Sequence, residues 1–193
     1  MTQSKIGIIG TDPVGVIMAA LLFRRGHLVD IIVSLNPSGH CCPFQEVNIT
    51  GSLDLSVPVF CRTIEQMDDG YDFIFLLAPT SETPALLKRV SPHLHPDGVV
   101  CILGAEECAS LVDSHVKANL VLGDVTIDAK WENVNTVCCT SSAQHMVYGN
   151  LFELSGDSGT SAQTLETVKS LLESAIGSCC VTSELKRGAT CAG

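Results

Sequence analysis

The stretch that most constrains this chain is its beginning, Lys5-Ile-Gly-Ile-Ile-Gly10-Thr-Asp-Pro-Val-Gly15, continuing to Gly26-His-Leu-Val-Asp-Ile-Ile-Val-Ser34. Ile6, Ile8 and Ile9 make a short apolar run suited to a strand buried on both faces. Gly10 permits a tight turn out of that strand, and Gly15 lets a following helix lie close to the sheet. From Pro13 to about Arg25, Val14, Ile17, Met18, Leu21 and Leu22 recur at helical spacing. Gly26 closes the helix, with Arg24 and Arg25 complementing its dipole, and Leu28 to Val33 reads as a second strand. This is the layout of a dinucleotide-binding strand-turn-helix-strand, in which a pyrophosphate rests on the free N–H groups at the helix N-terminus.

The middle glycine of the expected G-x-G-x-x-G is Asp12. Its side chain takes space that a pyrophosphate needs, and its charge has the same sign. Asp followed by Pro is also a strong helix start, because the carboxylate caps the N–H groups that would otherwise hold phosphate. The acid that ordinarily takes the ribose hydroxyls has no clear counterpart. Asp30 falls inside the second strand, several residues before its end, and the tip is Ser34 with Asn36 beyond it. Neither residue selects between NAD and NADP by charge.

With 193 residues, the chain has the length for one domain with a sizeable core. Hydrophobic residues make up 46%, charged residues 17% and aromatics 5%, an aliphatic composition suited to an α/β fold. A net charge of −10 argues against nucleic acid and anionic membranes as partners. No signal-peptide pattern and no membrane-length apolar run is visible, so a cytoplasmic location is expected. The ten cysteines contain no C-x-x-C pair. Cys101, Cys138 and Cys180 lie in strand-like runs and read as small core residues, leaving a redox-responsive role as a minor alternative. His93, His95 and His145 lack metal-ligand spacing, and no metal site is expected.

Further along, Gln45 to Val59 reads as a hairpin at the sheet edge and Thr63 to Asp69 as a short acidic helix. Tyr71 to Ala78 and Gly98 to Gly104 read as buried strands, separated by a helix from about Glu82 to Val90. A helix over Glu106 to His115 and strands near Asn119 to Ile127, Val134 to Thr140 and His145 to Leu154 follow. Ala162 to Ile176 is a helix, apolar at Leu165, Val168, Leu171 and Leu172, and Cys179 to Thr182 a last strand. Strands alternating with helices predict an α/β, doubly wound, mainly parallel sheet with helices on both faces. The expected organisation is one domain over residues 1–185 with a short tail over 186–193.

The ordered set of pieces resembles the N-terminal, Rossmann-like domain of the ketopantoate reductase (2-dehydropantoate 2-reductase) family. It comprises the K-I-G-I-I-G start, R-G-H before the second strand, Val57-Pro-Val, Tyr71-Asp-Phe-Ile-Phe-Leu-Leu-Ala, Leu122-Gly-Asp-Val-Thr and Tyr148-Gly. The resemblance implies NADP as cofactor, held by Gly10, Thr11, Asp12, Val14 and Gly15, by Ser34 where the family has a phosphate-reading arginine, and by Ala78 and Ala129. The family's lysine after the Leu-Leu-Ala strand falls where this chain has Pro79-Thr80-Ser81-Glu82, and its asparagine after the next strand becomes Ala105. The family's second, helical domain carries the general acid, and this sequence reaches Gly193 where that domain would begin. No catalytic residue is therefore assigned. The expected function is a non-catalytic or impaired domain with weak or lost NADP(H) binding and a protein-interaction role. The alternative is an NADP-dependent reductase of a small 2-oxo acid such as ketopantoate, acting with a partner subunit. Without the helical domain's cover, apolar surface would be left for a second copy or another subunit.

Overall fold

A computed structural model describes residues 3–33, 46–77, 81–104, 119–123, 125, 127–140, 150–153, 162–176 and 180–181. The opening unit is β1 (Lys5–Ile9), α1 (Pro13–Arg24) and β2 (Leu28–Val33). β3 (Glu46–Gly51), β4 (Leu55–Pro58) and β5 (Phe60–Thr63) come next, then a 3₁₀ turn at Ile64–Gln66 and β6 (Tyr71–Leu76). α2 (Thr83–Val90) and a second 3₁₀ turn at Ser91–His93 lead into β7 (Leu94–Leu103). β8 (Asn119–Gly123), β9 (Ala129–Asn133), β10 (Thr136–Cys139), β11 (Asn150–Glu153), α3 (Ala162–Ala175) and β12 (Cys180–Val181) complete the order.

The main sheet has eight strands in the order β12-β11-β8-β7-β6-β1-β2-β5. From β5 to β8 every pairing is parallel, and β11 joins β8 antiparallel. The expected Rossmann-like, mainly parallel sheet is what the chain forms. Its inner strands are buried on both faces, as their apolar runs require. Ile6, Ile8, Phe73, Phe75, Cys101 and Val121 face the side of α1 and α3. Ile9, Ile32, Ile74, Leu76 and Ile102 face the other side, with Leu86, Leu87 and Val90 of α2. From β1 the chain runs outward through β2 to β5, then crosses back to lay β6 on the other flank of β1. The crevice at the carboxyl ends of β1 and β6 is thus the topological switch point, where folds of this class bind ligands.

The structure departs from the sequence reading at the residues read as a hairpin on the sheet edge. β3 and β4 do pair antiparallel, but they belong to a separate four-stranded sheet, β4-β3-β10-β9. β10, read as part of the main sheet, is parallel to β3, and β9 is a strand the sequence did not announce. The inner face of this small sheet, with Val47, Ile49, Val57, Val137 and Cys139, joins the same core cluster as α1. In β10 it is Cys139 that is buried and Cys138 that is half-buried, one position out of phase with the expectation; Cys101 is buried as expected. Gly51, at φ +88°, ends β3 against β10: a Cβ there would overlap the carbonyl oxygen of Cys139, so only glycine serves. The acidic segment expected to be a helix over Thr63 to Asp69 shrinks to the 3₁₀ turn. The expected helix over Glu106 to His115, His145, most of the strand expected from His145, and the 186–193 tail lie outside the described residues.

α1 owes its position to composition. No polar side chain interrupts Pro13 to Phe23, and Gly15 to Leu22 are buried without exception. A helix apolar all round needs cover all round, and this one touches β1 and β2, α3 and all four strands of the small sheet. At its C-terminus Gly26 takes φ +91°, the left-handed close expected from sequence. Next to it, His27 is buried, and its Nδ1 accepts the backbone N–H of Ser4 at 3.2 Å.

Burial lowers the His27 pKa, so the folded protein holds the ring neutral. Its contribution to stability is complete above the ordinary imidazole value of 6.5 and is lost as pH falls through the lower folded-state value. In His27→Asn, whose amide oxygen can still accept from Ser4, the urea midpoint is expected to fall less than in the parent between about pH 7 and pH 5. Identical pH profiles for the two proteins would contradict this.

Candidate functional site at the β1–α1 turn

The residues read as a nucleotide cradle converge at the switch point. Gly10 leaves β1 at φ +127°, its N–H bonded to the carbonyl of Ile32 at 3.1 Å. A Cβ on Gly10 would lie 2.9 Å from the carbonyl oxygen of Leu77, at the end of β6, so the close approach of the two strand ends requires glycine. Thr11 and Asp12 follow, and α1 begins at Pro13.

Asp12 is the N-cap of α1, with extended backbone at φ −69° and ψ 159°. Its Oδ1 accepts from Val14 N at 2.9 Å and from Gly15 N at 3.1 Å. Its backbone carbonyl accepts from Val16 N at 3.1 Å. Of the first helical residues, Val14 and Gly15 thus give their N–H groups to the Asp12 side chain, and Pro13 has none to give. The second carboxylate oxygen, Oδ2, is buried and has no hydrogen-bond partner among the described residues. It is folded into the turn: Cβ atoms built on Gly10 and Gly15 would stand 3.2 Å and 3.3 Å from it. The two glycines that make room for a phosphate in related folds here make room for a carboxylate.

Asp30 is engaged elsewhere. It is buried and accepts the Tyr71 hydroxyl at 2.6 Å, and the Arg62 Nε lies 3.2 Å from it. The Tyr71 ring lies over Gly7, in contact range of any Cβ there, on the face opposite α1. Burial first, and the Asp30 carboxylate second, push the Tyr71 hydroxyl pKa well above the ordinary phenolic value. Asp30 likewise raises the Arg62 pKa. Asp30 thus belongs to a polar cluster between β2, β5 and β6. Beside it, an open groove of about 680 Å³ follows β5, lined by Pro58, Val59, Phe60, Cys61, Arg62 and Gln66. That groove is at the sheet edge, away from the switch point.

Of the other candidate residues, Val14 is half-buried in the first turn of α1 and packs on the core. Ala129 opens β9 opposite Cys139, on the inner face of the small sheet. Ser34 and Ala78 lie outside the described residues, as do Pro79, Thr80 and Ala105. Among the described residues no group of three or more His, Cys, Asp or Glu could hold a metal ion, and no helix is long and apolar enough to cross a membrane. One residue at the turn was missed by sequence reasoning: Trp131 of β9, whose Nε1 donates to the carbonyl of Thr11 at 3.2 Å. Nothing in the local pattern announces it, because the contact spans the gap between two sheets.

Strand order and switch point together define a Rossmann-like domain. The ketopantoate reductase PanE/ApbA family model matches residues 6–152, and the chain belongs to that family. No curated protein matches the sequence. Among solved structures, 2-dehydropantoate 2-reductase from Geobacter metallireducens is similar, with a TM-score of 0.67 at 17% identity over 92% of this chain and 57% of that one. The dimeric ketopantoate reductase of Staphylococcus aureus has a TM-score of 0.64 at 13% identity, covering 94% and 60%. D-mandelate dehydrogenase, solved with NADH and anilino(oxo)acetate, has a TM-score of 0.69 at 17% identity, covering 92% and 56%. This chain thus spans less than two thirds of the length of these relatives.

An N-cap carboxylate contributes about 1 kcal/mol over alanine. Asp12→Ala is accordingly expected to lower unfolding free energy by about 1 kcal/mol in urea, and Asp12→Gly by only a few tenths. An Asp12→Ala protein as stable as the parent would show that the cap contributes nothing.

Proposed function

We propose that this chain is a ketopantoate-reductase-type domain that binds NADP(H) weakly or not at all and does not itself reduce a 2-oxo acid. One observation carries the reading: Asp12 Oδ1 accepts from both Val14 N and Gly15 N. A pyrophosphate does not fit this turn as it stands. It would need donors that are already taken, and it would approach a carboxylate with charge of the same sign. The sequence supports the same reading at the positions the family resemblance assigns. Ser34 replaces an arginine that reads phosphate, Pro79-Thr80 stands where a lysine is expected, and Ala105 replaces an asparagine. General acid catalysis needs a positioned proton donor, and none of these side chains supplies one. The work of such a domain lies in protein contacts, with a second copy or a partner subunit, in the cytoplasm.

The second reading is an NADP-dependent reductase of a small 2-oxo acid that acts with a partner subunit. Family membership and the dimeric state of the Staphylococcus aureus relative favour it.

Calorimetric titration with NADPH and NADH separates the two. The parent chain is expected to show no saturable binding up to about 1 mM, an affinity worth about 4 kcal/mol. Asp12→Gly frees two N–H donors, each contributing on the order of 1 kcal/mol, and is expected to bind NADPH at least tenfold tighter. No NADPH oxidation with ketopantoate is expected from the parent. Tight binding by the parent, or turnover that disappears in Gly10→Ala, would overturn the first reading and leave the second.

A further inference from the structure

The dipeptide Asp-Gly occurs twice in this chain, at Asp69-Gly70 and Asp97-Gly98, and the fold treats the two differently. Both aspartate side chains are exposed, at 90% and 95%. Gly98 lies within β7, where a Cβ would stand 2.6 Å from the carbonyl oxygen of Tyr71 and 2.9 Å from that of His95. The peptide joining Asp97 to Gly98 therefore has no room to turn toward the aspartate side chain. Gly70 lies between the first 3₁₀ turn and β6, at φ +82°, with open space where a Cβ would be.

Two further contacts act on the first pair alone. The Lys5 ammonium donates to the carbonyl oxygen of Asp69 at 2.9 Å. It is held there by the Asp68 carboxylate at 3.7 Å and by the Tyr71 ring, whose centroid lies 4.5 Å away. That carbonyl belongs to the Asp69–Gly70 peptide. A cation on its oxygen stabilises the negative charge that develops there when the Gly70 N–H gives up its proton. On the side chain, His93 Nδ1 lies 3.3 Å from Asp69 Oδ1.

We propose that Asp69-Gly70 is a site of spontaneous backbone isomerisation, with Lys5 as the group that activates its nucleophile. The Gly70 nitrogen attacks Cγ of the protonated Asp69 carboxyl. The amide proton and the carboxyl hydroxyl depart together as one water, leaving a five-membered succinimide. One water then opens either carbonyl of that ring, restoring aspartate or giving isoaspartate, in which the main chain runs through Cγ. The product has the mass of the parent, and no electrons are transferred. In isoaspartate the carbonyl that Lys5 holds becomes a free carboxylate, a stronger partner for the ammonium than an amide. The main chain also gains one carbon two residues before Tyr71 opens β6.

The full-length parent, aged at neutral pH, is digested and mapped by electron-transfer mass spectrometry, which distinguishes isoaspartate from aspartate. Isoaspartate is expected to accumulate about tenfold faster at Asp69 than at Asp97. In urea the two rates should converge, because both peptides are then equally free. In Lys5→Met, which keeps an unbranched side chain and loses the charge, accumulation at Asp69 is expected to slow roughly threefold. Equal rates at the two sites in the folded parent, or a difference that persists in urea, overturns the proposal. So does an Asp69 rate that is unchanged or raised in Lys5→Met. If that variant does not fold, the two sites of the parent, compared folded and in urea, decide alone.

Discussion

The architecture depends on covering α1 on every side. A twelve-residue helix with no polar side chain before Arg24 cannot lie on a sheet with its back to water. The main sheet takes one side, α3 another, and the small sheet built from β3, β4, β9 and β10 takes the rest. The buried apolar surface is worth about 25 cal/mol per Å² removed from water, and α1 contributes it on all its faces rather than along one stripe. The small sheet, in turn, has its own inner face to bury, and α1 is what it buries it against. Helix and sheet are each other's solvent shield.

This mutual cover also fixes where the N-terminal cap of α1 sits. The amino end of α1 is held at the switch point by the turn from β1 and overlooked by β9 on the small sheet. In an open helix end, one carboxylate on two amides is an ordinary stabilising cap. Here the same geometry lies at the switch point and engages the amides of Val14 and Gly15. The Asp12 Oδ2 atom is buried between Gly10 and Gly15.

Much of this was legible in the residues, and the limits have physical causes. β2 follows the expected bounds, and α1 and β6 come within one and two residues of them, because a buried strand or helix writes its apolar run locally. Asp12 as N-cap followed from Asp-Pro alone, since capping is decided within three residues. The small sheet was hidden because β3 finds β10 far along the chain, Asn48 meeting Thr136, and no local period encodes a distant parallel partner. A clue existed in α1: reading Val14, Ile17, Met18, Leu21 and Leu22 as one apolar face overlooked that the other face was apolar too. That unbroken run required a second cover. Trp131 was illegible for the same reason as the sheet that carries it.

The parallel pairing of β3 with β10 has a consequence for how the molecule comes to exist. Asn48 meets Thr136, so the shield over the outer side of α1 cannot be finished until the ribosome has passed Cys139. The β1–α1–β2 unit, by contrast, is local and closes early, as short-range contacts do. Between those two moments the nascent protein carries a helix whose outward face is as apolar as its inward one. Such transient apolar surface makes a partly made chain prone to aggregate. The feature that makes the finished fold coherent is thus the one that leaves it most exposed during synthesis.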